Sequence, residues 1–151
     1  MYLIDTNIIS YSVYHPENYP LLIRNIRATR PVDRWVSVVT AHELIAFKYE
    51  AVQNTKNMPR NLLLRTYHDL YQVLMLVSGL QVKPFTADVY EHSLGMPGDV
   101  KIRDRRIAAT ALFNNFTVVT HDRTDFEAIR AVRPELRIED WVDEDYTARR
   151  A

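Results

Sequence analysis

Short unbroken apolar runs alternate with longer stretches whose apolar residues recur at three and four. Tyr2-Leu3-Ile4 is the first run, reading as a strand buried on both faces, and it stops at Asp5. Thr6 and Asn7, both helix-capping types, follow, and a helix is expected over residues 8 to 14. His15 to Pro20 breaks the pattern with two prolines. Leu22, Ile23 and Ile26 resume helical spacing over Leu21 to Thr29, and Pro31 ends it. Trp35 to Thr40 is a β-branched run, predicted as a second strand, with a helix from Ala41 to about Gln53.

A polar loop from Gln53 to Asn61 leads into a long predicted helix, Leu62 to Ser78, closed by Gly79. Its Leu63, Tyr67, Leu70, Leu74 and Val77 form one apolar stripe, expected in the core. Met75, Leu76 and Tyr71 lie to one side and are candidates for a subunit contact. Leu80 to Phe85 reads as a third strand, with Thr86 capping a short helix to about Leu94. A loop at residues 95 to 99 precedes a helix over Arg103 to Asn115. Phe116 to Thr120 is a fourth strand, Asp125 to Val132 a short helix and Leu136 to Ile138 a fifth strand. Strand–helix alternation predicts an α/β fold, a parallel sheet with helices on both faces.

The 151 residues fit one domain, 1–151, with no internal repeat or boundary. The chain has no cysteine, which excludes disulfides, cysteine-ligated zinc and thiol catalysis. No charged-then-apolar leader and no apolar run near 18 residues is present, so a cytoplasmic protein off the membrane is expected. Net charge is zero, giving no global basic field. Charges are nevertheless grouped: Arg24, Arg27, Arg30 and Arg34; then Arg103, Arg105 and Arg106; then a mixed end with Glu139, Asp140, Asp143, Glu144 and Asp145 before Arg149 and Arg150.

The acids change the picture. Asp5 ends the first strand, Glu43 falls in what reads as the first turn after the second, Asp104 starts the helix after loop 95–99, and Asp122 follows the fourth strand. Ligands of open α/β sheets bind at carboxyl ends of strands. Each acid also has a local explanation: Asp5 as an N-cap, Glu43 or Asp104 as a helix-dipole partner worth about 0.3–1 kcal/mol. That explains poorly why all four share one edge. Clustered carboxylates repel, so they shift their protonation or recruit a cation. Oxygen-only ligands suit Mg2+ or Mn2+, and the chemistry suggested is metal-assisted phosphodiester hydrolysis.

These segments resemble the PIN-domain ribonucleases, and among them the VapC-type toxins of type II toxin–antitoxin systems. Leu3-Ile4-Asp5-Thr6-Asn7 is similar to the family's opening strand and first acid, and Ser37 to Leu44 to its second-acid segment. Asp104 to Ala111 is similar to the third-acid helix, and Val118 to Asp122 with Asp125-Phe126 to the fourth segment. The resemblance implies a three-layer α/β/α sandwich around a mainly parallel sheet of about five strands, and a Mg2+- or Mn2+-dependent endoribonuclease. It carries over Asp5, Glu43, Asp104 and Asp122 as catalytic metal ligands. Thr6, Asn7 and Thr120 are implied as neighbours that orient ligands or water, and Asp125 as an alternative fourth acid. It also implies an RNA substrate, a VapB-like antitoxin and a homodimer.

Arg103, Arg105 and Arg106 flank Asp104 and are candidate holders of RNA phosphates. Asp99, His42 and His121 lie near the acids, but adjacency on a helix is not shared coordination. Competing readings are an RNA-processing PIN nuclease without antitoxin, a PIN-like binding module without turnover, and a phosphatase with Asp5 as nucleophile. The last lacks a second acid two residues on, where Asn7 stands.

Overall fold

The computed structural model describes residues 1–143, Asp145 and Tyr146. Glu144, Arg149 and Arg150 of the mixed-charge end therefore lie outside the described residues. The strands are β1 (Tyr2–Ile4), β2 (Arg34–Ser37), β3 (Val82–Lys83), β4 (Thr117–Val119) and β5 (Arg137–Glu139). The helices are α1 (Thr6–Tyr14), α2 (Pro20–Ala28), α3 (Val38–Gln53), α4 (Arg60–Ser78), α5 (Ala87–Ser93), α6 (Ile102–Asn114) and α7 (Arg123–Val132). Single 3-10 turns occupy Pro16–Asn18 and Pro31–Asp33, where prolines interrupt the α pattern.

All strand pairs are parallel, in the order β3-β2-β1-β4-β5. Alternating side chains send Leu3 and Val118 to one face and Ile4, Val36 and Val119 to the other, and each face has its own buried cluster. The first holds Ile107, Ala108 and Ala111 of α6 with Phe126 and Ile129 of α7. The second holds Ile8, Leu22, Leu44 and Val73 from α1 to α4. Helices thus cover both faces, the three-layer arrangement expected. The chain moves outward from β1 in one direction to β2 and β3, then returns to β1's other side as β4. That reversal opens a crevice at the carboxyl ends of β1 and β4.

Two expectations are corrected. The second strand ends at Ser37, not Thr40, because Ser37 Oγ accepts a hydrogen bond from Thr40 N at 3.0 Å and caps α3 from Val38. The α4 stripe is only partly core. Val73 and Thr66 are buried and Leu70 packs against the second cluster, but Tyr67 and Leu74 are exposed. Thr66 tolerates burial because its hydroxyl donates back to Leu62 O at 2.9 Å. Gly79 does cap α4, yet at φ −87, which any residue adopts. The residues that do need the left-handed region are Gly95 at φ 76 and Asn115 at φ 55, which closes α6.

Candidate active site

Asp5 stands one residue past β1, its backbone N–H still in the ladder to Val119 O at 3.0 Å. Only 5% of it is exposed. Its Oδ1 accepts from Thr6 N at 2.7 Å, making it the N-cap of α1, so the expected capping role is present as well. Oδ2 accepts from Asn7 Nδ2 at 3.0 Å and Thr120 Oγ1 at 2.8 Å. Burial nevertheless pushes its pKa up to about 6, the hydrogen bonds from Thr120 and Thr6 opposing and the charges of Glu43 and Asp122 adding.

Glu43 sits in the second turn of α3, because that helix starts at Val38 and not at Ala41. The shift still brings it to the edge: Oε2 accepts from the Thr6 hydroxyl, and Oε1 lies 2.6 Å from Arg103 Nη1. Asp104 occupies the first turn of α6. Its pKa is raised to about 7, by desolvation first, then by a hydrogen bond with Asp125 and the charges of Asp5 and Asp125, Lys101 opposing.

Asp122 and Asp125 both reach this edge. Asp122 is at the N-cap position of α7 without making the capping bond, and its Oδ2 lies 3.2 Å from Lys101 Nζ. Asp125, in the first turn of α7, accepts from Lys101 N at 3.3 Å. Asp125 is also a direct hydrogen-bond partner of Asp104.

Of the arginines near Asp104, Arg103 touches an acid, Glu43. Arg105 and Arg106 instead line a cavity of about 230 Å³ with Tyr90, Ser93 and Ile102. The first basic group is elsewhere: Arg34 opens β2, at the amino end of the sheet opposite the acids. His42 and Asp99 are exposed. Two participants went unread in the sequence. Lys101 serves as counter-ion to Asp122 and Asp125. Asp140 is buried beneath His121, its Oδ2 lying 2.9 Å from Nδ1. The strand-end rule that selected Asp5 would have found Asp140, which directly follows β5.

The donors are all carboxylates, and Asp5 and Asp104 are each held toward the protonated form by burial and by neighbouring acids. That chemistry fits a hard divalent cation. Among the described residues no group of three or more His, Asp or Glu side chains stands arranged to hold a metal, so the acids share an edge without forming a closed cage.

A parallel α/β sheet with acids gathered at its switch point is the frame of a PIN domain. The sequence matches the PIN domain over residues 2–132, and the chain belongs to that family. No curated protein sequence matches it closely. Among solved structures it is similar to FitAcB from Neisseria gonorrhoeae, at 22% identity and TM-score 0.69, covering 93% of this chain and 98% of that one. It is also similar to VapBC-1 from nontypeable Haemophilus influenzae, at 21% identity and TM-score 0.68, covering 94% and 98%. A third likeness is to VapBC2 from Rickettsia felis bound to a promoter DNA fragment, at 20% identity and TM-score 0.66, covering 93% and 98%. No helix among the described residues is long and apolar enough to cross a membrane.

Proposed function

We propose that the protein is a divalent-metal-dependent endoribonuclease, the VapC-type toxin of a toxin–antitoxin pair. The observation that carries this reading is Asp5. It is a buried carboxylate at the switch point of a PIN-domain sheet, with its pKa raised by burial first and further by Glu43 and Asp122, and with its own charge raising that of Asp104. Asp5, Glu43, Asp104 and Asp122 would hold Mg2+ or Mn2+, with Asp125 as the alternative to Asp122. When bound, such an ion polarises a phosphoryl oxygen and lowers the pKa of a coordinated water.

The chain's own residues supply placement. Asn7 and Thr120 fix both the position and the rotamer of Asp5, and Thr6 does the same for Glu43. Arg103 pairs with Glu43, and a cation held by Glu43 would release Arg103 to hold a phosphate of the RNA backbone beside Asp104.

A VapB-like antitoxin fits the same reading, since several similar structures are toxin–antitoxin complexes. An open cavity of about 370 Å³ lined by Ile4, Ile9, Ile26, Val36, Leu76 and Leu80 offers an apolar seat for a partner segment.

The test is RNA cleavage with Mg2+ or Mn2+ by wild type, Asp5→Asn and Asp104→Asn, each verified folded by circular dichroism. Metal-dependent cutting should fall at least a hundredfold in both variants. Equal cutting by all three proteins would dismiss the four-acid site.

A further inference from the structure

His121 is the residue between Thr120 and Asp122, and its surroundings are built rather than incidental. Its backbone N–H donates to Asn7 Oδ1 at 3.3 Å, and the same Asn7 amide donates to Asp5. One side chain thus ties the His121 backbone to the first acid. The Tyr11 ring and the imidazole meet in a T-shaped contact, with centroids 6.1 Å apart at 70°. Beneath lies Asp140, whose side chain is fully buried. Asp140 Oδ1 accepts from Val142 N at 2.9 Å and Asp143 N at 3.2 Å, and Oδ2 lies 3.5 Å from Arg123 Nε.

The neighbours named around this carboxylate are donors, so Asp140 acts as acceptor. His121 Nδ1, 2.9 Å from Oδ2, must therefore carry the hydrogen. In the neutral imidazole this tautomer leaves the other ring nitrogen, Nε2, with a lone pair. Nε2 makes no hydrogen bond among the described residues, and it is not among their buried unpartnered atoms, so it opens to solvent. A buried carboxylate that fixes a tautomer has little purpose if only packing is at stake. Here it leaves an acceptor on a residue whose backbone Asn7 ties to Asp5.

Resting on the ribonuclease reading, we propose that His121 Nε2 accepts a hydrogen bond from the ribose 2′-hydroxyl of a nucleotide next to the scissile phosphate. Asp140 is the positioning residue that keeps Nε2 an acceptor. The 2′-hydroxyl is the group by which a protein tells RNA from DNA. A lone-pair acceptor recognises it, whereas a phosphate oxygen would need a donor. The site would thereby carry part of its RNA preference in this chain's own His–Asp pair.

The experiment uses an RNA oligonucleotide that the full-length protein binds, and a set of copies carrying one 2′-deoxy nucleotide each. Cleavage and fluorescence-anisotropy binding are measured with wild type, His121→Ala and His121→Gln. For wild type, deoxy substitution at one position flanking the cut should lower kcat/KM about tenfold, the worth of roughly one net hydrogen bond. His121→Ala should cut all-RNA about tenfold more slowly and show no further loss with that deoxy copy. His121→Gln, which keeps an acceptor oxygen, should recover part of the discrimination. A purely structural role for His121 would slow every copy equally and leave the deoxy penalty intact, and that result overturns the proposal. If wild type cuts nothing, the nuclease reading fails separately. The same comparison of Kd values then decides whether His121 senses a 2′-hydroxyl: equal affinity for all-RNA and every deoxy copy rejects it.

Discussion

Asp5 caps α1 with one oxygen and collects hydrogen bonds from Asn7 and Thr120 with the other, yet burial still holds its pKa at about 6. Its proton is thus bound more tightly in the folded chain than in the unfolded one, where the carboxyl titrates near 3.8. Below that pH both states are protonated and Asp5 carries no penalty. As pH rises toward 6 the unfolded chain ionises first, so stability falls, and above 6 the penalty stays constant at about 3 kcal/mol. Asp104, raised to about 7, extends the same decline to neutral pH. Metal-free wild type should therefore lose stability from about pH 4 to 7 more steeply than Asp5→Asn, as read by urea midpoints. Parallel curves for the two proteins would mean that Asp5 is not strained as described. Added Mn2+ should raise the wild-type midpoint at pH 8 and leave that of Asp5→Asn less changed.

Helix and strand ends set where these side chains fall, and here the sequence was legible in kind but not in boundary. The apolar run of β1 and the acid after it were plain, because a strand buried on both faces has no polar interruption. Val38-Val39-Thr40 was misleading: β-branched residues favour strands only weakly, and the Ser37 cap turned them into the first turn of α3. Glu43 reaches the edge from the second turn all the same, since α3 starts three residues earlier than expected. Asp140 stayed hidden because it sits in a run of acids whose charges read as a solvated end. Only the fold shows that it is buried. Ser37 offers a test of this local placement. Ser37→Ala removes the cap and leaves the Thr40 N–H without its partner in a fully buried site. A loss of about 1–2 kcal/mol is expected, with lowered nuclease activity because the start of α3, and with it Glu43, loosens. An unchanged urea midpoint would show that water or a shifted backbone replaces the cap.

At the scale of the molecule, the sheet order explains why acids distant in sequence meet. β1 is central, β4 lies directly beside it, and α6 and α7 bring Asp104 and Asp125 against the same crevice. Alternation of strands and helices made that architecture readable, whereas helix-stripe arithmetic on α4 did not separate core from surface. Leu64, Tyr67, Tyr71 and Met75, spaced three, seven and eleven residues along α4, are 60%, 52%, 57% and 54% exposed. One apolar stripe of that length, on a helix whose opposite side already packs into the core, is suited to burial against a second copy of the chain. Leu76, by contrast, packs inward and is no part of it. The expected outcome is a dimer by light scattering after gel filtration. The double change Tyr71→Glu and Met75→Glu should shift it to a monomer with an unaltered far-ultraviolet spectrum, because both side chains are on the surface and two charges at each of two symmetric patches repel. A wild-type monomer would instead assign the stripe to a different partner. A dimer that survives the double change would place the contact on another face.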